Sequence, residues 1–102
     1  MASKLFIDDI RNPPDDSWVV SRDIKSTIDF LSNNGIPDVI SFDHDLGGDE
    51  TSIAIINYII EGILDDNLCL PKGFSYCIHS ANPVGSENIK SKMDQLIKYF
   101  GE

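Results

Sequence analysis

Short apolar runs alternate along this chain with stretches whose apolar positions recur at helical spacing. Lys4-Leu5-Phe6-Ile7, stopped by Asp8-Asp9, reads as a central strand. Arg11 to Ser17, with Pro13 and Pro14, is turn chemistry that forbids a helix. Trp18-Val19-Val20 is aromatic and β-branched and reads as a brief strand near an edge. Ile24, Ile28 and Leu31 then fall at i, i+4, i+7, a helix ending at Asn33-Asn34-Gly35. Pro37 opens the loop before a third strand, Asp38-Val39-Ile40-Ser41-Phe42, whose end delivers Asp43-His44-Asp45.

The next helix carries Ile53, Ile55, Ile56, Ile59, Ile60 and Ile63. Its apolar surface is wider than one stripe, so it is either covered by neighbours or left as a contact patch. Phe74-Ser75-Tyr76-Cys77-Ile78 is the last strand and ends in His79-Ser80; a final helix puts Ile89, Met93, Leu96, Ile97 and Phe100 on one face. The order β, β, α, β, α, β, α implies right-handed crossovers and a mainly parallel sheet. The expected fold is a single α/β domain over residues 1–102, a minimal flavodoxin-like three-layer arrangement with four strands and helices on both faces.

Length and composition narrow the setting. At 102 residues with 41% hydrophobic content the chain has one core and is not disordered. No apolar stretch reaches the roughly 18 residues of a membrane span, and Met1-Ala2-Ser3-Lys4 lacks the layout of a secretion signal, so a cytoplasmic protein is expected. Cys69 and Cys77 have no zinc-finger spacing, and Cys77 sits in an apolar strand where a buried free thiol is common. A net charge of −9 argues against binding long nucleic acid through its phosphates, though not against a small nucleotide or an RNA end.

Three polar clusters each follow a strand: Asp8-Asp9-x-Arg11, Asp43-His44-Asp45 and His79-Ser80-x-Asn82. Strand C-termini of an open α/β sheet converge on one edge, where ligands bind. Each cluster also has a plainer explanation. An Asp ends many strands; Asp43 and Asp45 complement a helix dipole; Asn82 with Pro83 caps the last helix. None of these accounts for both of the chain's histidines falling at the same edge. Adjacent carboxylates raise each other's pKa unless a cation lies between them, so Asp8, Asp9 and Asp43 are candidate ligands for Mg²⁺ or Mn²⁺. Arg11 either pairs with Asp9 or Asp43 or grips a substrate phosphate. Trp18 reads as packing rather than as a platform for a base.

The acid pair, the Asp before a small-residue turn and the Ser80 that ends a strand together resemble the receiver domain of two-component signalling. That resemblance implies Mg²⁺ on Asp8, Asp9 and Asp43, phosphorylation of Asp43, and Ser80 reading the phosphate. The chain departs from a receiver in lacking a fifth strand with its terminal Lys, in replacing the first helix by the proline loop, and in adding two histidines. Leu5-Phe6-Ile7-Asp8-Asp9-Ile10-Arg11-Asn12-Pro13, Trp18, Ser41-Phe42-Asp43-His44-Asp45-Leu46-Gly47 and His79-Ser80-Ala81-Asn82-Pro83 are similar to the receiver-derived cyclic-phosphate processing family across nearly the whole chain. This implies the same fold and an activity on cyclic phosphates of nucleotides or RNA ends.

The expected function is therefore a phosphoesterase. His44 and His79 serve as acid and base, Asp43 and Asp45 orient His44, and Arg11, Ser80 and Asn82 hold the phosphate. The alternative is a non-catalytic or phosphoacceptor module with Asp43 as acceptor, in which the isoleucine-rich helix serves as a docking or homodimer face. A small nucleotide-binding protein that sequesters its ligand is a third possibility.

Overall fold

The structure is a computed structural model and describes residues 3–43, 51–79 and 83–100. The elements run β1 (Lys4–Ile7), β2 (Val19–Ser21), α1 (Ile24–Asn34), β3 (Val39–Phe42), α2 (Ile53–Leu64), β4 (Ser75–Ile78) and α3 (Pro83–Phe100). The four strands form one sheet in the order β2-β1-β3-β4, with every pairing parallel. This is the expected α/β, receiver-like arrangement. The second strand starts at Val19, which leaves Trp18 in the loop before it.

Local chemistry sets the boundaries of α1. Asp23, in extended backbone, accepts from the Ser26 amide at 2.7 Å, and Ser26 answers in a reciprocal capping box. At the other end Gly35 adopts φ +80° and donates to the Leu31 carbonyl at 2.8 Å, a left-handed exit that suits glycine.

The layering differs from the expectation. Leu5 and Ile7 of β1 and Ile40 and Phe42 of β3 share one core with Leu31 of α1, Ile55, Ile56 and Ile59 of α2, and Ile89, Met93 and Leu96 of α3. Because side chains alternate along a strand, those four residues mark one face of the sheet, and all three helices pack there. Phe6, Ser41 and Cys77 lie on the opposite face. The cause is topological: the steps from β2 to β3 and from β3 to β4 run in the same direction, so right-handed crossovers put both helices on one side. The β1–β2 step runs the other way, and there the chain spends its length on the proline loop. Cys77, expected to be buried, is accordingly exposed, and both cysteines are free.

The isoleucine-rich helix is mostly covered. Ile55, Ile56 and Ile59 are fully buried, while Leu64 at its end is exposed. None of the described helices is long and apolar enough to cross a membrane.

Candidate functional site

Sheet register builds the site. Phe6 pairs with Ser41, and Ser41 with Cys77. Two residues further along each strand, on the same face, stand Asp8, Asp43 and His79. The ladder reaches these tips: the amide of Asp43 donates to the Ile7 carbonyl at 3.0 Å, and that of His79 to the Phe42 carbonyl at 2.9 Å. Residues 35 and 36 positions apart in sequence are thus set in one row by the period of a strand. One ligand atom from each of Asp8, Asp43 and His79 lies within 4.8 Å of the others.

Asp8 anchors this row. It is fully buried, and its Oδ1 accepts from the backbone amides of Ile10 at 2.9 Å and Arg11 at 2.8 Å. Its Oδ2 faces Nε2 of His79 at 3.0 Å. Burial pushes the Asp8 carboxyl up, but the amides of Arg11 and Ile10 and the His79 ring together outweigh it and hold the group below the usual carboxylate range. A carboxylate has lone pairs only, so the His79 proton sits on Nε2 in this contact.

His79 is fixed on three sides. Besides Asp8 at Nε2, its Nδ1 meets the Ser41 hydroxyl at 2.7 Å, and its ring stacks on Phe6 with centroids 4.4 Å apart and planes 9° from parallel. Trp18 packs edge-on against Phe6 at 5.9 Å. With Nε2 protonated, Nδ1 accepts from Ser41, a hydroxyl that can also turn and accept if the ring gains a second proton. Both nitrogens are engaged, so any further partner reaches the ring only by displacing Asp8 or Ser41. Its side chain is 20% exposed, which leaves that displacement open to solvent.

Two arginines tie the neighbouring loop down. Arg11 donates through Nη1 to the His79 carbonyl at 2.7 Å, which links the first strand-end cluster to the third. Arg22 donates to the carbonyl oxygens of Asp8, at 3.3 Å, and Arg11, and through Nη2 to the Asn12 side chain at 2.9 Å. The Asp43 carbonyl accepts from the Ser52 hydroxyl at the start of α2.

Of the residues singled out from sequence, Asp8, Asp43 and His79 come together. Asp9 follows Asp8 in sequence and is not part of that group of three. Arg11 reaches the same edge. His44, Asp45, Ser80 and Asn82 lie outside the described residues. Ser41, Phe6 and Arg22 were not foreseen. A polar residue two positions before Asp43 in an apolar strand was the available sign for Ser41, because it must share the face of that aspartate.

As a donor set, two carboxylates and an imidazole suit a divalent cation such as Mn²⁺. Here, however, Asp8 Oδ2 and His79 Nε2 already satisfy each other, so an ion would have to part them. The sequence model of the cyclic-phosphate processing receiver domain matches residues 3–95. No curated protein and no solved structure matches the chain.

Proposed function

The chain belongs to the cyclic-phosphate processing receiver domain family, and from that premise we propose that it is a phosphoesterase opening a cyclic phosphate on a nucleotide or an RNA end. The observation that carries this reading is the single row of Asp8, Asp43 and His79 with the imidazole held in a defined orientation.

In the proposed reaction one imidazole takes a proton from water as the water oxygen bonds to phosphorus. The other gives a proton to the ester oxygen as its bond to phosphorus breaks, and the product is a phosphomonoester. His79 and His44 are the two members, each worth on the order of 10²–10⁴ in rate. The ring of His79 keeps Ser41 at Nδ1 and exchanges Asp8 for the substrate oxygen at Nε2, its Nε2 proton pointing where that oxygen arrives. Asp8 stays close enough to stabilise the charged ring. Asp43 and Asp45 orient His44. The remaining donors of the Arg11 guanidinium, Ser80 and the amides near Asn82 offset charge on the phosphoryl oxygens.

A Mg²⁺ or Mn²⁺ at this edge would draw on Asp8 and Asp43, with His79 or, as expected from sequence, Asp9 as a further ligand. A bound ion there would polarise the phosphoryl group. The proton transfers above do not depend on it.

The test is multiple-turnover hydrolysis of a nucleoside 2′,3′-cyclic phosphate followed by phosphorus NMR. His44→Ala and His79→Ala should keep their circular dichroism and each lose at least about 100-fold in rate. Full activity in both variants, or stable phosphorylation of Asp43 by a small phosphodonor without turnover, would overturn the reading.

A further inference from the structure

A cleft of about 450 Å³ lies beside the site, and its lining includes Asn12, Pro13, Pro14, Asp15, Asp16 and Trp18. Its volume is within the range of small-molecule sites. We infer that this cleft receives the base of the nucleotide whose cyclic phosphate is processed at the strand tips, and that it selects an amino-bearing base, cytosine or adenine, over uracil. The inference rests on the proposed cyclic-phosphate activity and adds the base to it.

Continuity with the site is the first support. Trp18 packs on Phe6, and Phe6 stacks on His79, so one aromatic ring separates the cleft wall from the imidazole. Asn12 is held by the Arg22 guanidinium, which also binds the carbonyls of Asp8 and Arg11. The loop that forms the cleft is thereby fastened to the loop that carries Asp8.

The chemistry of the lining is the second. Trp18, Pro13 and Pro14 give apolar walls against which a flat ring packs. Asp15 and Asp16 repel an anion, so the phosphate stays at the strand tips and the uncharged part of the ligand enters the cleft. Asp15 Oδ1 is taken by the Ser17 amide and hydroxyl. Asp16 is exposed on the same loop and is an acceptor only. The side-chain oxygen of Asn12 is occupied by Arg22, so its NH₂ faces a ligand as a donor. Asn12 and Asp16 both line the cleft, and in the inferred pose the amino group of cytosine or adenine donates to Asp16 while the adjacent ring nitrogen accepts from Asn12. Uracil presents a carbonyl and an N–H in those places and sets its oxygen against Asp16.

Trp18 is the chain's single tryptophan, so its emission reports on this cleft alone. The full chain is titrated with cytidine and uridine, then with their 2′,3′-cyclic phosphates, while fluorescence is followed. Saturable changes are expected, with cytidine binding at least about tenfold tighter than uridine, as a hydrogen bond to a charged acceptor supplies. Asp16→Asn, at an exposed position, should level the two. Equal affinities for cytidine and uridine, or a preference unchanged in Asp16→Asn, overturn the base recognition. No saturable change with any nucleoside, in a protein that still opens cyclic phosphates, removes the cleft from the account and leaves the hydrolase intact. The cytidine preference without hydrolysis of any cyclic phosphate keeps the cleft and removes the hydrolase.

Discussion

Replacing Asp8 by Asn tests the framework on which the site depends. The carboxylate is fully buried and accepts from two backbone amides and from the His79 ring. An amide of the same shape still accepts from Ile10 and Arg11 through its oxygen, now without charge. A hydrogen bond to a charged group is worth roughly 1.5–3 kcal/mol net, and a neutral one about 0.5–1.5. Weakening two such bonds loses about 2 kcal/mol. The third contact is inverted, because the new NH₂ meets a protonated Nε2. The His79 proton must then move to Nδ1 and be donated to Ser41, or the contact is lost, at a further cost of about 1–2 kcal/mol. The total, roughly 3–4 kcal/mol, is a large share of the 5–15 kcal/mol that holds a domain together. Urea unfolding at pH 7, with wild type and variant measured side by side, reads this difference directly.

The pH dependence supplies the sign. Asp8 is held below its ordinary carboxylate value in the folded state, so its contribution is fully present above the unfolded value near 4 and is lost as pH falls through the folded one. The gap between wild type and Asp8→Asn should therefore be widest near neutrality and narrow as pH drops below about 4. A gap under about 0.5 kcal/mol at pH 7, or one that stays constant down to pH 3, would refute the reasoning.

Two further outcomes are expected. At Gly62 in α2 an added Cβ would lie 2.4 Å from Leu68 Cδ1, against a residue that is itself in the core. Gly62→Ala should thus destabilise by about 1–2 kcal/mol in thermal unfolding despite alanine's better helix propensity; a stabilised variant would show that Leu68 moves aside freely. Hydrolysis should survive millimolar EDTA, since the proton transfers need only the chain's own groups. Loss of activity that Mg²⁺ restores would instead move the chemistry onto an ion held by Asp8, Asp43 and His79.

Much of this molecule was legible from its sequence, and for a physical reason. Apolar runs stopped by charge mark strand ends, and parallel strands bring their C-termini to one edge, so Asp8, Asp43 and His79 could be gathered before any coordinates. What could not be read was which face each helix would take. That depends on the order of strands in the sheet, which no local pattern encodes, and it is why Cys77 is exposed instead of buried. Register was the second gap. Ser41 and Phe6 hold His79 only because β1, β3 and β4 align to within a residue, and a shift of one would turn both to the helix side. Arg22 was missed because two of its partners are backbone carbonyls, of Asp8 and Arg11, which leave no mark in side-chain chemistry. The contact of Asp8 with His79, 71 residues away, likewise follows from strand alignment and not from any local pattern.

The most direct measurement of the central claim is a crystal structure with a slowly hydrolysed nucleoside 2′,3′-cyclic phosphorothioate bound. Its phosphorus should lie at the tips of β1, β3 and β4, with one non-bridging or ester atom within hydrogen-bond distance of His79 Nε2 and the Arg11 guanidinium beside it. A phosphate found between α2 and α3, or a His79 ring still closed on Asp8 with the ligand elsewhere, would contradict the account.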